Sequence, residues 1–211
     1  MIIKKFTFNS FQENTYIISS QSKCMIIDPG CSNEYEKKIL TDYIEANNLH
    51  PKILINTHCH LDHIFGNHFI SKKYSLTPKM HAKDLPLLNK ALEIAKLYNV
   101  SLEPPPLKTE LVKEDDIIEL GDTVWKVIFT PGHAPGHICL LNEKNKKIIV
   151  GDVLFFMSIG RTDLPLSNHQ DLIQSIQQKI FTLDNNTEVF CGHGNNTNIG
   201  FEKQNNPFLK S

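Results

Sequence analysis

Apolar residues occur along this chain in short blocks separated by polar turns. The first three blocks, Ile2 to Phe8, Thr15 to Ser19 and Cys24 to Ile27, predict β-strands. The third stops at Asp28-Pro29-Gly30, where proline fixes one φ and glycine accepts the next, so a turn follows. Ser32 or Asn33 can cap a helix running to about Asn48, with Ile39, Leu40, Tyr43 and Ile44 on its apolar face. Ile53 to Asn56 predicts a buried strand, and Ile64 to Lys73 a helix. A further helix is expected over Leu85 to Tyr98, with Leu88, Leu92, Ala95 and Leu97 apolar. It ends before Pro104-Pro105-Pro106, a stiff connector rather than a boundary between domains. Strands at Ile117 to Leu120, Val124 to Thr130, Ile138 to Leu141 and Lys147 to Val150 then precede a helix from about Gln170 to Phe181 and a last strand, Glu188 to Cys191. Two β-then-α halves predict an α+β domain over residues 1–211, with two packed sheets and helices outside.

The polar residues that interrupt this pattern gather at strand ends. After Ile53-Leu54-Ile55 comes Thr57-His-Cys-His-Leu-Asp-His63, with three imidazoles and one carboxylate between positions 58 and 63. If the strand continues, alternation puts His58 and His60 on one side, able to grip one ion, and sends Cys59 to the other as a packing residue. Asp62 and His63, beyond the turn, face a neighbouring position where a second ion can sit. Three more strand ends follow suit: Pro131-Gly132-His133, Gly151-Asp152 and Gly192-His193. A glycine before each ligand lets the backbone bend beside an ion. Nitrogen and oxygen donors without thiolate suit zinc, iron or manganese.

Composition narrows the function classes. A formal net charge of −1 gives no electrostatic footprint for nucleic acid or an anionic membrane. No apolar run approaches the roughly 20 residues of a membrane span. The start, Met1 to Phe6, reads as a strand rather than a signal peptide, and the five scattered cysteines contain no C-x-x-C pair. A reduced, cytoplasmic setting is expected. Cys191 reads as a core cysteine. His50, His68, His81, His137 and His169 are expected to be structural or solvated, although His137 could hydrogen-bond near the ligands.

The chain resembles the metallo-β-lactamase superfamily, and within it the short, single-domain glyoxalase II-like (hydroxyacylglutathione hydrolase-like) enzymes. The resemblance rests on Thr57-His-Cys-His-Leu-Asp-His63 with Gly66-Asn67, on Thr130-Pro-Gly-His133 and Gly151-Asp152, and on Ser158-Ile-Gly-Arg-Thr-Asp163, Gly192-His-Gly194 and Asn206-Pro-Phe-Leu209. It implies an αββα four-layer sandwich holding two divalent metal ions, zinc first and iron or manganese as alternatives. His58, His60 and His133 would hold one ion, Asp62, His63 and His193 the other, and Asp152 would bridge them. Asp62 and Asp152 would thereby serve catalysis, in which a hydroxide shared by the ions attacks the carbon of a small-molecule thioester such as S-D-lactoylglutathione. Asp28 resembles a family aspartate that orients a ligand, and a turn-stabilising role fits it equally. Arg161 could bind a substrate carboxylate by a two-pronged contact or pair with Asp163. The stretch from Leu85 to Leu107 is expected to form a surface flap over the metals.

With eighteen residues after His193, the helical region that holds glutathione in longer family members is expected to be missing. Asn195 stands where relatives commonly have proline, which should alter only the local loop. The competing reading is a mononuclear iron persulfide dioxygenase of the same fold. A β-lactamase, an RNA-processing nuclease or a non-catalytic module fits less well.

Overall fold

A computed structural model describes residues 1–106 and 108–210. The chain forms two compact units, one of residues 1–112 and 119–123, the other of 113–118 and 124–211.

In the first, strands β1 (Ile2–Phe8), β2 (Glu13–Ser20) and β3 (Lys23–Ile27) form an antiparallel meander. Helix α1 (Glu34–Ala46) is capped by Asn33, whose side chain accepts the Glu36 N–H. It crosses to β4 (His50–Ile55), which pairs parallel to β3, the usual outcome of a helical crossover. Short helices α2 (Leu61–Ile64) and α3 (Asn67–Tyr74) follow, then β5 (Pro78–His81), helix α4 (Leu85–Leu97) and β6 (Glu110–Val112). The sheet runs β1 to β6 in order, antiparallel on one side and parallel on the other. Ile17, Ile26, Leu40, Ile44, Leu54 and Ile70 share a core.

The second sheet has the order β14-β13-β10-β9-β8-β7. Its strands are β7 (Ile117–Leu120), β8 (Thr123–Phe129), β9 (Ile138–Asn142), β10 (Lys147–Gly151), β13 (Glu188–Cys191) and β14 (Thr197–Asn198). A two-stranded hairpin, β11 (Leu154–Phe155) and β12 (Ser158–Ile159), leaves the end of β10. Helix α5 (His169–Ser175) continues as a π-helical turn over Ile176–Ile180, and α6 (Ile199–Asn205) comes last. Ile148, Val150, Leu172, Ile176, Ile180 and Val189 form this unit's core. Cys191 belongs to it, as expected of a packing cysteine.

Four expectations change. Strand β4 ends at Ile55, so His58 to His60 lie in irregular backbone and strand alternation does not place them. The helix expected over Ile64 to Lys73 breaks at Phe65-Gly66, where a Cβ on Gly66 would lie 2.5 Å from the Cys31 sulfur and 2.7 Å from the Pro29 carbonyl. In α4 the buried face is Leu87, Leu88, Ala91 and Ala95, while Leu92 and Leu97 are exposed. Leu85 to Leu97 is packed through that buried face; Leu107, the last residue of the expected flap, lies outside the described residues. Strands β5, β6, β11, β12 and β14 and helix α6 were not predicted.

Candidate metal centre

In the first unit the turn from β4 into α2 gathers imidazoles. The His58 ring lies 4.8 Å from that of His60 and 4.1 Å from that of His63. One ligand atom each from Asp28, His58 and His63 falls within 4.8 Å of the others, and all three residues are buried. Asp62 Oδ2 sits 3.7 Å from His63 Nε2.

Asp28 organises this group from the end of β3. It is 1% exposed and adopts φ +49°, a left-handed conformation that Asp tolerates better than most residues. Its Oδ1 accepts the Thr57 N–H at 2.7 Å, and its Oδ2 accepts the Thr57 hydroxyl at 2.6 Å and faces His63 Nδ1 at 3.1 Å. These contacts fix tautomers. A carboxylate only accepts, so His63 carries its proton on Nδ1. The Thr57 hydroxyl spends its single hydrogen on Asp28, so His58 Nδ1, 3.1 Å from that oxygen, must donate. Both rings keep the Nε2 lone pair for a cation, as neutral metal ligands require. Asp28 therefore braces the turn and also orients the His63 ring.

Two more buried carboxylates support the same turn, and the sequence did not single out either. Asp84 accepts the Cys59 N–H at 2.7 Å. Glu13 is fully buried with Oε1 4.0 Å from His63 Nδ1; burial holds its carboxyl well above the usual range, and His63 partly offsets this. Glu13 opens β2 and Asp84 ends the 3-10 turn before α4, neither with a motif around it, so only the packing reveals them. Cys59 packs its sulfur 3.5 Å from that of Met80, and burial, then Asp84, raises its thiol far above the ordinary range. It stays protonated and serves packing, as the sequence suggested.

In the second unit the three remaining candidates converge on one atom. Asp152 Oδ2 lies 3.4 Å from His133 Nε2 and 3.4 Å from His193 Nε2. His133 Nδ1 donates to the Arg161 carbonyl at 2.8 Å, which again leaves Nε2 toward the carboxylate. Asp152 is held through its backbone: its N–H donates to His137 Nε2 at 3.1 Å, and His137 Nδ1 meets the Thr130 hydroxyl at 3.1 Å. His137 is fully buried, so it positions Asp152 rather than meeting solvent. Gly132 and Gly151 have φ +140° and +48°, so two of the three glycines before candidate ligands use their freedom. Gly192 does not; Gly194, after His193, does, at +67°.

Arg161 turns its guanidinium to Asp163, with two bonds of 2.7 Å, and both side chains are exposed. The arginine holds the Asp163 carboxyl down to about 2. Histidines 50, 68, 81 and 169 make local contacts, to the Ser22 and Pro104 carbonyls, the Lys83 N–H and the Thr162 hydroxyl.

The donor set fits a divalent ion: oriented imidazole Nε2 atoms beside carboxylates, largely buried, with no thiolate among them. Among the described residues no helix is long and apolar enough to cross a membrane.

Comparison with known proteins agrees. Residues 9–193 match the metallo-beta-lactamase superfamily. Over all of this chain and 99% of its own length, the hydroxyacylglutathione hydrolase GloC of Haemophilus influenzae (strain Rd) is 34% identical. The crystal structure of TTHA1623 in a di-iron-bound form superposes with a TM-score of 0.87 at 31% identity, covering 98% of this chain and 100% of that one. That of the BLEG-1 B3 metallo-beta-lactamase gives 0.89 at 29%, covering 100% of both chains. The chain belongs to the metallo-beta-lactamase superfamily, has its α+β fold, and carries the histidine and aspartate clusters of a metallo-hydrolase.

Proposed function

We propose that this chain hydrolyses a small-molecule thioester, of which S-D-lactoylglutathione is the first candidate, with two divalent ions as cofactors. His58, His60 and His133 would hold one ion, Asp62, His63 and His193 the other, and Asp152 would serve both. The observation that carries the reading is the single Asp152 oxygen facing two imidazole nitrogens at equal distance. A carboxylate so placed suits two cations better than one. The di-iron form of a relative 31% identical supports two ions, and the name of the H. influenzae relative supports the thioester.

Bound by these residues, the ions would supply Lewis acidity and a lowered pKa for attacking water. The residues do the rest. Asp28 and the Arg161 carbonyl hold His63 and His133 with Nε2 inward, so no ring must turn on binding. Asp62 and Asp152 orient the attacking water by accepting its hydrogen bonds. Water adds to the acyl carbon, the C–S bond breaks, and the sulfur departs as a thiolate, which needs no strong acid at neutral pH; the acyl group leaves as a carboxylate and the water's two protons pass to solvent. All four thiols with resolved shifts (Cys24, Cys31, Cys59 and Cys139) are pushed up by burial, so none is a competing nucleophile.

The test is metal content per chain on protein purified without chelator, together with turnover of S-D-lactoylglutathione. Two ions are expected, and Asp152→Ala should lower turnover by more than the roughly 100-fold typical of losing an outer hydrogen-bond partner. One iron, no hydrolysis and oxygen uptake with glutathione persulfide would replace this reading with the dioxygenase. Cleavage of a β-lactam in preference to thioesters would replace it with a lactamase.

A further inference from the structure

The end of the chain carries a buried polar cluster that the site itself does not explain. Glu202, in α6, is fully buried, and three groups donate to its carboxylate. The Met157 N–H lies 3.2 and 3.1 Å from its two oxygens, the Thr197 hydroxyl donates at 2.6 Å, and Asn206 Nδ2 donates at 2.8 Å. Asn206, also buried, gives its other amide hydrogen to the Ser158 carbonyl at 2.9 Å. Met157 and Ser158 are the tip and the returning strand of the β11–β12 hairpin. Met157 itself has φ +58°, an unfavourable conformation for an unbranched side chain that needs an outside hold.

That hairpin leads straight to two ligands. It begins two residues after Asp152. Its Val153 carbonyl accepts the Gly160 N–H at 3.2 Å, which closes the returning strand onto the outgoing one. Gly160 then lies so close that a Cβ there would be 1.9 Å from the Asp152 carbonyl oxygen and 3.2 Å from the His133 Cβ. The next residue, Arg161, supplies the carbonyl that fixes the His133 tautomer. At the outgoing strand, the Phe155 ring meets the His193 ring edge-on at 6.1 Å. A shift of the hairpin tip therefore reaches His133, Asp152 and His193 through backbone, within one unit.

We propose that Glu202 and Asn206 form a positioning clamp for the ligands His133 and Asp152, transmitted through the Leu154–Ile159 hairpin. The clamp rests on the reading of those residues as metal ligands. It gives the terminal Asn206-Pro-Phe-Leu209 motif a task in the site, although none of its residues touches a ligand. A carboxylate is required at 202, because the amide of glutamine would turn an NH2 toward a donor.

The test is a Zn²⁺ titration of chelator-treated full-length protein against a chromophoric competitor, with thermal melts and steady-state kinetics on the same preparations. Glu202→Ala is expected to weaken Zn²⁺ binding by about tenfold or more, the scale set by lost outer hydrogen bonds. Glu202→Gln should fall between it and wild type. Ile180→Ala, in the core of the same unit, should lose thermal stability yet keep wild-type Zn²⁺ affinity. Should Glu202→Ala not fold, Glu202→Gln and Asn206→Ala carry the same criterion. Wild-type affinity in the clamp variants would overturn the proposal, as would an equal loss in Ile180→Ala. Wild-type protein that takes up no Zn²⁺, Fe²⁺ or Mn²⁺ would instead overturn the metal reading, and the clamp with it.

Discussion

The two units present their candidate ligands in contrasting ways. The first takes His58, His60, Asp62 and His63 from one run of six residues and fixes them with side chains: Asp28 reaches Thr57 and His63, and Asp84 reaches the Cys59 backbone. The second takes His133, Asp152 and His193 from three separate strand ends and fixes two of them largely through backbone: the Arg161 carbonyl, the Asp152 N–H and the close approach at Gly160. A side-chain scaffold concentrates its dependence on a few buried acids, Asp28 above all. A backbone scaffold spreads it over the loops that bring the strand ends together, and asks for glycine where a Cβ would intrude. The first should therefore fail at a single substitution of an acid, the second at a single added methyl.

The largest effect is expected at Asp28. Asp28→Ala strands the buried Thr57 N–H and the His63 Nδ1–H, frees the Thr57 hydroxyl to take either orientation, and leaves a non-Asx residue at positive φ. Two stranded buried donors alone cost about 3 kcal/mol. Chemical denaturation should show at least that loss, and metal binding should fall with it. Asp28→Asn keeps the positive φ and one acceptor, so it should recover about half of the stability. An alanine variant with near wild-type stability would mean that the first unit does not depend on this side chain.

The contrast also explains what could be read from the amino acids alone. A dense run such as Thr57 to His63 announces itself, and Asp28 stands at a turn that proline and glycine mark. The strands up to β4 and from β7 to β10 follow from their apolar blocks. Glu13, Asp84 and Glu202 follow from nothing local: each is a single acid that also meets a group tens of residues away, respectively His63, Cys59 and Met157, and no period or spacing records that. His137 stood out only as a histidine that could hydrogen-bond near the ligands; that it is buried and holds the Asp152 N–H comes from the sheet, not from its neighbours in sequence. The irregular path of His58 to His60 was invisible for the opposite reason, since the apolar run gives no sign that the strand ends at Ile55. Short strands such as β5, β6 and β14 have too few residues to show alternation.

A smaller loss is expected at Gly160, the second unit's counterpart to Asp28. Gly160→Ala places a Cβ against the Asp152 carbonyl at a separation no real contact allows, so the backbone must move. Overpacking of this kind costs about 2 kcal/mol. The displacement falls on Asp152 and His133, so the drop in Zn²⁺ affinity should exceed what the lost stability explains. Gly194→Ala makes the useful contrast: nothing lies within 4 Å of its added Cβ, and only its φ of +67° is strained. It should cost about 1 kcal/mol and leave the affinity near wild type.

The smallest effect on stability is expected at Arg161, where backbone and side chain have separate tasks. Its carbonyl orients His133 whatever the side chain, while its guanidinium pairs with Asp163 in the open. Arg161→Ala should leave Tm unchanged at neutral pH, because exposed pairs contribute little. The pair still marks the Asp163 carboxyl, which titrates at about 2. Its folded pKa is depressed, so whatever the pair contributes is present above the unfolded value and is lost as pH falls toward 2. In Arg161→Ala the carboxyl should return to roughly 3.9, which an NMR titration of Asp163 would show directly. Kinetics then decide the side chain's second task. We propose that the fork exchanges Asp163 for a substrate carboxylate, so KM for S-D-lactoylglutathione should rise about tenfold with kcat unchanged, the pattern of a lost charge-assisted contact made equally in ground and transition states. An unchanged KM would confine the guanidinium to its ion pair and leave only the Arg161 backbone serving the site.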